Sequence, residues 1–229
     1  SNAALKLLPS SKSKLIKYAA KEIIDGKYDD QFPLDIFQTG SGTSTNMNAN
    51  EVMATIASKK GKTSIHPNDD VNMSQSSNDV IPTAIHISAL LDVEKLLLPS
   101  LKSLINQIKS KELKVKGVVK TGRTHLMDAM PIDMAQELSG WAAQLSDQYK
   151  QIKLAADGLK SLPQGGTAIG TGINAPKNFG NIFATETSKL TKIKFKSSRN
   201  YFKSLSSQDA ATNMSSAVKN LALVLLKIS

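Results

Sequence analysis

Residues 66–79 read HPNDDVNMSQSSND, a stretch of short polar side chains with almost no apolar residue. Polar groups of this kind cannot build a core on their own. An apolar, helix-patterned segment begins at Ile81, so Ser76, Ser77 and Asn78 lie just ahead of a helix N-terminus. Unpaired backbone N–H groups and the positive end of the helix dipole favour a carboxylate or phosphate at such a point. An N-cap with a polar turn is the simpler interpretation of this stretch taken alone.

Two further segments are rich in hydroxyl and amide groups. Residues 38–48 read QTGSGTSTNMN, in which Gly40 and Gly42 allow the backbone to turn tightly and to approach a ligand. A glycine-rich loop with a Ser/Thr helix cap is an equally good interpretation of this segment. Residues 121–129 read TGRTHLMDA and place His125 beside Thr124. Together, the three segments favour a binding site for a small anion.

The composition is that of a folded domain rather than a disordered chain. Of the 229 residues, 40% are hydrophobic and 21% are charged, which is enough apolar material for a core. The first three residues, Ser-Asn-Ala, look like a remnant of tag cleavage and are left out of the fold prediction. Cysteine is absent, which excludes disulfides and thiolate sites and fits a cytoplasmic location. No apolar run is long enough to span a bilayer, so we expect no membrane partner.

The formal net charge of +10 raises the question of nucleic-acid binding. The lysines are spread along helical faces, and the only arginines are Arg123 and Arg199. Proteins that read nucleic-acid grooves and phosphates rely more on arginine. Aromatic residues make up 5% and do not alternate with the basic ones, so no stacking platform is evident. We therefore expect a solvated basic surface that draws in small anions, and no nucleic-acid partner.

Apolar residues recur at steps of three and four along most of the chain, which is typical of helices that pack in bundles. Helices are predicted over residues 5–25, 52–57, 81–111, 132–159, 178–193 and 210–228, with a kink or break at Pro99. We predict a mainly α fold. It consists of a long-helix bundle of residues 80–229 and a smaller N-terminal helical domain of residues 4–79, both partial. The apolar stripe is still running at Ile228, which favours a chain that continues.

The three histidines are too scattered in the sequence to predict a metal site. His86 falls on the apolar side of a helix pattern and is predicted to be a packed core residue. His66 precedes Pro67 and is interpreted on its own as a turn residue. His125 has the strongest claim to a functional role, because imidazole titrates near neutral pH and can move a proton directly or through water.

The three segments, in this order and roughly at this spacing, resemble the class II fumarase branch of the fumarase/aspartase superfamily. The motifs that carry the resemblance are TGSGTxxNMN, HPNDDVNxSQSSND and GRTHLxDA, and the long central motif is the most specific. Aspartate ammonia-lyases resemble this pattern but typically have Gly-Ala-Gly-Thr, Ser-Thr-Asn-Asp and Thr-Gln. This chain has GSGT at 40–43, SSND at 76–79 and TH at 124–125, and all three differences favour fumarase.

The resemblance implies a fumarate hydratase, which adds water reversibly across the double bond of fumarate to give L-malate, without a metal or an organic cofactor. In the dehydration direction a base removes a proton next to a carboxylate, and donors stabilise the resulting aci-carboxylate. The resemblance implies that His125 positions or deprotonates the catalytic water. By position match, the substrate-binding residues are Ser41, Gly42, Thr43, Ser76, Ser77, Asn78 and Thr124. A second dicarboxylate-binding segment, outside the catalytic pocket, corresponds to His66, Pro67, Asn68 and Asp69.

Two parts of the family pattern are missing from these residues. The first is the mobile loop Gly-Ser-Ser-x-Met-Pro-x-Lys-x-Asn-Pro, which usually carries the serine base and a substrate-binding lysine. The second is the carboxylate that usually pairs with the histidine. We therefore expect this chain to be a catalytically incomplete fragment of a fumarase.

The family also implies a homotetramer around a bundle of long helices, with each active site drawn from three subunits. The unpaired apolar stripes of the predicted helices agree with such an assembly. Two alternatives are an aspartate ammonia-lyase of the same superfamily and a non-catalytic helical assembly fragment. An ammonium requirement for turnover distinguishes the first alternative, and a lack of turnover distinguishes the second.

Overall fold

The computed structural model describes all 229 residues and contains eight α-helices and four short strands, which confirms the predicted mainly α fold. In chain order the elements are α1 (Ser10–Ile24), α2 (Thr43–Gly61), α3 (Ser77–Asp92), α4 (Leu98–Lys114), β1 (Val119–Thr124), β2 (Met127–Asp133), α5 (Met134–Leu159), β3 (Ser161–Leu162), α6 (Phe179–Thr191), β4 (Lys196–Ser197), α7 (Tyr201–Ser206) and α8 (Asp209–Ile228). A 3₁₀ turn (Asp29–Gln31) and two π-helical turns (Pro67–Val71 and Val93–Leu97) lie between helices. Judged by length and hydropathy, none of the helices could cross a membrane.

The chain divides into two compact units. Residues 1–87 and 160–208 form the first unit, and residues 88–159 and 209–229 form the second. The domain boundary that we predicted between residues 79 and 80 lies within α3, as does the division between the units. The first unit also includes residues 160–208. The spacing of apolar residues does not indicate that this later part of the chain belongs to the first unit.

The core of the first unit lies between α1 and α2. Ala19 of α1 packs with Ala54 and Ala57 of α2, and the small side chains let the two helices approach closely. Ile65, two residues before the first π turn, and Val71, its last residue, extend this core. Helix α1 begins at Ser10 rather than at residue 5, because the residue before a proline disfavours helical backbone and Pro9 directly precedes the helix.

The second unit is a bundle of α4, α5 and α8, in which α5 contacts both of the other helices. The stripe predicted along α5 is buried, with the members Leu138, Ala142, Leu145, Ile152, Ala156 and Leu159. The flanking helices bury Leu98, Leu101 and Ile105 from α4 and Met214, Ala217 and Leu221 from α8. Helical periodicity therefore predicted the buried face of α5, apart from the half-buried Tyr149. On α4 and α8 it was less accurate, because Leu104 and Val218, which the same spacing assigned to the buried stripes, are exposed.

The single helix predicted over residues 81–111 is divided into segments. Helix α3 begins at Ser77, the π turn Val93–Leu97 follows it, and α4 begins at Leu98. Pro99 lies in the first turn of α4, and the backbone stays helical from α3 through the π turn into α4, so the wider turn lies where the N–H of residue 99 is missing from the helix. The predicted disturbance at Pro99 therefore takes the form of a wide turn just before the proline.

Strands β1 and β2 form an antiparallel hairpin that the sequence analysis missed. His125 and Leu126 occupy its two-residue turn, with φ of 50° and 63°, the left-handed conformation that such turns require. The helix predicted over residues 132–159 is α5, which begins two residues later, at Met134, because Ile132 and Asp133 belong to β2. Most residues of both strands are exposed, so no alternation of apolar and polar residues marks them in the sequence.

Residues 163–172 form a tight loop in the first unit, which we call the glycine loop. Within it, the backbone N–H groups of Gly166 and Gly170 donate to carbonyls three and four residues earlier. Gly165 has φ of +109°, and a Cβ atom there would lie 2.8 Å from Oη of Tyr201 and 2.9 Å from Cα of Gly180. The glycine loop therefore depends on the absence of a side chain at residue 165.

We expect Gly165→Ala to lower the free energy of unfolding by roughly 2–4 kcal/mol, because backbone strain and a clash with backbone atoms add together. The matched control is Gly140→Ala in α5, where an added Cβ would have no heavy atom within 4 Å. That change should instead raise stability by about 0.5–1 kcal/mol through helix propensity. Denaturant unfolding followed by circular dichroism measures both. Equal stability of the two variants would contradict this account of the glycine loop.

Candidate functional site

The first two polar segments meet in the first unit. Asn46 on α2 donates from Nδ2 to Oγ of Ser77 at 2.9 Å, and both side chains are buried. The same Nδ2 lies 3.4 Å from Oδ1 of Asn72. A buried amide that lost these partners would destabilise the fold. Asn46 therefore holds the start of α2 against the start of α3.

Gly42 brings the hydroxyl-rich loop of residues 38–43 close to α3. A Cβ atom at this position would lie 2.8 Å from Cγ1 of Ile81, so a larger residue could not make this approach. On the exposed side of the loop, Oγ of Ser41 lies 3.1 Å from Oγ1 of Thr39 and 3.2 Å from Oγ1 of Thr43. Three hydroxyls linked by two hydrogen bonds leave one O–H available to a ligand. This hydroxyl row suits a ligand that offers acceptor oxygens.

Helix α3 starts with a capping box formed by Ser76 and Asp79. The N–H of Asn78 donates to Oγ of Ser76 at 3.3 Å, and the N–H of Ser76 donates to Oδ1 of Asp79 at 3.0 Å. The simpler interpretation of the stretch, an N-cap, is therefore correct for Ser76. The exposed side chain of Asn78 donates from Nδ2 to the carbonyl oxygen of Ala168, in the glycine loop, at 2.8 Å.

The side chain of Asp79 is fully buried and accepts further hydrogen bonds from the glycine loop. The N–H groups of Gly165 and Thr167 donate to its Oδ2 at 3.0 and 2.8 Å. Burial raises the pKa of Asp79 above its ordinary value, and hydrogen bonds from the backbone N–H groups of Ser76, Gly165, Thr167 and Asp79 itself only partly offset this effect. The first turn of α3 and the glycine loop are thus joined at two adjacent residues.

The segment predicted to bind a second dicarboxylate forms the π turn Pro67–Val71, capped by His66. The N–H of Asp69 donates to Nδ1 of His66 at 3.2 Å, and Oδ2 of Asp69 lies 3.3 Å from the same nitrogen. His66, Asn68 and Asp69 are all exposed, so a single turn presents their polar groups to solvent.

Asp70 fastens this turn to α1. Nζ of Lys12 donates to both carboxylate oxygens of Asp70, at 2.8 and 2.7 Å, and the N–H of His66 donates to Oδ2 at 2.9 Å. Burial by itself raises the pKa of Asp70, but these donors outweigh it, and the net pKa lies below the ordinary value. The fold therefore stabilises the ionised form.

Thr124 and His125 belong to the second unit and lie at the tip of the hairpin. Thr124 pairs with Met127 across the hairpin, and the side chains of Thr124 and His125 are both exposed. A cleft of about 460 Å³ runs along the hairpin and is lined in part by Thr124, Met130 and Glu137. The imidazole of His125 is therefore accessible to solvent.

His86 is buried, and its Nδ1 donates to the carbonyl oxygen of Ser161 at 3.0 Å. Burial lowers the pKa of His86, and the carbonyl only partly offsets this effect. The prediction of a packed core histidine is confirmed. No group of three or more His, Asp or Glu side chains in this chain is arranged to hold a metal ion.

The structure brings two of the three polar segments together within the first unit, while the third lies in the second unit. The contributions of Asp79 and the glycine loop were not predicted from the sequence. The spacing Ser76-x-x-Asp79 was an available signal, because it is that of a capping box. The loop contributes backbone N–H groups, and the residue types along the sequence do not reveal where such groups point.

Residues 1–229 match a protein family described as lyase. The chain is 51% identical over 228 residues to a class II fumarate hydratase of Xylella fastidiosa, and 46% identical over 229 residues to one of Mycobacterium tuberculosis. Each alignment covers 100% of this chain and 48% of the relative. The chain therefore spans about half the length of the curated relatives it matches.

The fold is similar to the crystal structure of recombinant class II fumarase from Schistosoma mansoni, with a TM-score of 0.95 at 38% identity. The match covers 99% of this chain and 52% of that structure. A fumarate lyase:delta crystallin structure from Brucella melitensis matches with a TM-score of 0.91 at 39% identity, and 50% of it is covered. The predicted superfamily fold is confirmed for the part that this chain spans.

Asp70→Asn is expected to lower the free energy of unfolding at neutral pH by about 2 kcal/mol, because it weakens charge-assisted hydrogen bonds from Lys12. Since the pKa of Asp70 is lower in the folded state, this contribution is present above the unfolded value, near 3.8. It disappears as the pH falls through the folded value. Denaturant unfolding of both proteins, from neutral pH to below 3.8, measures the difference.

The control for this experiment is Asp147→Asn, which disrupts an exposed ion pair with Lys150. Its effect should stay within roughly 0.5 kcal/mol at every pH. A stability difference between the wild-type chain and Asp70→Asn that persists unchanged in acid would contradict the proposed role of the ionised carboxylate.

Proposed function

The chain belongs to the lyase family, and on this premise we propose that it forms part of a class II fumarate hydratase. Such an enzyme adds water reversibly to fumarate to give L-malate. The observation that carries the proposal is the 51% identity to a class II fumarate hydratase over the whole of this chain. The GSGT, SSND and TH motifs support the same activity.

The hydroxyl row and the first turn of α3 supply the donors for a dicarboxylate in this proposal. Ser41 and Thr43 belong to the row, and Ser76, Ser77 and Asn78 belong to the helix start. The positive end of the helix dipole favours a carboxylate there, and fumarate brings two carboxylates with four acceptor oxygens. The net charge of +10 favours the approach of a dianion.

His125 acts on the water in this proposal. In the dehydration direction, loss of a proton beside a carboxylate gives that group a second negative charge, which oriented donors stabilise. His125 accepts a proton from the adding water, or holds that water in place, because an unprotonated imidazole nitrogen can accept a proton or a hydrogen bond. The hydroxyl of Thr124, the residue before it, donates a hydrogen bond to a carboxylate oxygen of the substrate.

We propose that the protein self-associates as a homotetramer in the cytoplasm. Leu154 of α5 and Leu226 of α8 are 69% and 72% exposed, and Leu223 is 55% exposed. Burial of such side chains against another helix stabilises an assembly by about 25 cal/mol per Å² of apolar surface. In this proposal, the exposed faces of the long helices α5 and α8 form the contacts between subunits.

The exposed π turn is proposed to bind a second dicarboxylate outside the catalytic pocket. His66, Asn68 and Asp69 are exposed on this turn, and Pro67 is its first residue. Asp70 accepts hydrogen bonds from Nζ of Lys12 and from the N–H of His66, and these bonds hold the turn against α1.

An aspartate ammonia-lyase is not favoured. Both curated relatives described above are fumarate hydratases, and the Thr124–His125 pair replaces the Thr-Gln expected of an aspartase. The two activities can be distinguished by experiment, because an ammonia-lyase consumes fumarate only when ammonium is present, whereas a hydratase does not need it.

The test is a chimaera in which this chain replaces the matching 228 residues of the X. fastidiosa relative. We expect loss of fumarate absorbance without added ammonium. The 229-residue chain alone should show no turnover, because the Gly-Ser-Ser loop is missing from its sequence. Turnover of the chimaera that depends on ammonium would move the chain to the ammonia-lyases, and no turnover under either condition would leave a helical assembly without catalytic function.

Variants of the chimaera test the residue assignments. His125→Asn and the double change Ser76→Ala with Ser77→Ala should each lower kcat/KM by roughly 100-fold, the usual effect of losing a proton-transfer group or aligned donors. Asp147→Asn, on an exposed face of α5, is the matched control and should leave kcat/KM unchanged. Full activity of the His125→Asn chimaera would overturn the role of the histidine.

A further inference from the structure

We propose that Asp79 is a positioning residue that sets the location of Ser76, Ser77 and Asn78 by fastening the first turn of α3 to the glycine loop. The inference rests on the proposed function, since it assumes that this turn binds the dicarboxylate. The geometry that supports it is local to the first unit, to which all of these residues belong.

Three backbone donors meet at the carboxylate of Asp79. Oδ1 accepts from the N–H of Ser76 at 3.0 Å, and Oδ2 accepts from the N–H groups of Gly165 and Thr167 at 3.0 and 2.8 Å. One oxygen therefore faces the helix start and the other faces the loop. A side chain with two acceptor atoms directed to opposite sides joins two parts of the backbone that have no covalent connection nearby.

The loop side of this junction is buried and closely packed. Residues 162–167 are all buried, and their backbone turns too tightly to admit a side chain at Gly165. Oη of Tyr201 would lie 2.8 Å from a Cβ atom there and is itself within 2.5 Å of Oγ of Ser197. The loop thus provides a fixed point to which α3 is attached.

On the helix side, each of the three proposed binding residues makes a hydrogen bond to another part of the first unit. The backbone of Ser76 is held by Asp79, Oγ of Ser77 accepts from Asn46, and Nδ2 of Asn78 donates to Ala168 in the glycine loop. Two of these three connections lead to the glycine loop. Loss of the Asp79 contacts would therefore allow the whole turn to shift relative to the hydroxyl row.

Burying the carboxyl of Asp79 in the first turn of α3 costs folding free energy. Burial raises the pKa of Asp79, so ionisation of this carboxyl lowers the stability of the fold relative to its protonated form. Ser76 alone already caps the helix through its hydroxyl. The additional function that the carboxylate serves is the attachment of this turn to the glycine loop.

The test begins with amide hydrogen exchange on the 229-residue chain. Asp79→Asn keeps the shape of the side chain and one acceptor oxygen, but its NH₂ group must then face an N–H donor. We expect at least about tenfold faster exchange at one or more of the amides of Ser76, Gly165 and Thr167. Unchanged exchange at all three would overturn the junction itself.

The second arm measures kinetics in the chimaera. Asp79→Asn should raise the KM for fumarate roughly tenfold while kcat stays within about threefold, because misplaced donors weaken substrate binding more than the chemical step. The control is Thr83→Val, one turn further along α3, whose buried hydroxyl has no hydrogen-bond partner. It should leave KM unchanged. If the Asn variant does not fold, Asp79→Ser replaces it with the same expected change in KM.

The outcomes separate the inference from its premise. Normal KM in a folded Asp79 variant, or a fall in kcat with normal KM, would overturn the positioning role while leaving the hydratase assignment intact. An inactive parent chimaera would overturn the proposed function, and the positioning role with it, even if hydrogen exchange showed the junction to be real.

Discussion

A carboxylate can be buried in a protein only where hydrogen-bond donors surround it, and in this chain that constraint falls on Asp79. Its donors come from the start of α3 and from the glycine loop, so the fold must hold these two regions together. The position of α3 in turn determines where the hydroxyl row lies, because Gly42 packs on Ile81. The arrangement of polar groups in the first unit thus depends on the hydrogen bonds that the carboxylate of Asp79 requires.

The helices were predictable because burial imposes a period on the sequence. The stripe along α5 repeats its apolar residues at steps of three and four, and Leu145 and Ile152 are completely buried as expected. The hairpin was not predictable in the same way, because Val119 and Met127 are exposed and neither strand has a buried face to impose a period of two. Pro131, which suits a helix start, instead occupies β2, where it pairs with Thr121.

The site was predictable in its residue types and less so in its connections. Clusters of hydroxyls and amides before helix patterns indicated donors for an anion, and the resemblance assigned them to a dicarboxylate. The contact of Asn46 with Ser77 joins two such clusters, but hydrogen-bond partners 31 residues apart leave no periodic signal. The glycine loop takes part through the N–H groups of Gly165 and Thr167, which every residue except proline possesses.

The first unit is built from two stretches of chain that are separated in sequence by the whole of α4 and α5. Partners of Asp79 lie 86 and 88 residues further along the chain. Closing so long a loop costs entropy before any contact compensates for it, and contacts of high sequence separation slow folding. Helices α1 and α2 pair locally and can associate early in synthesis, whereas the first turn of α3 gains its anchor only after the glycine loop has left the ribosome. We therefore expect that turn to reach its final structure later than the core between α1 and α2.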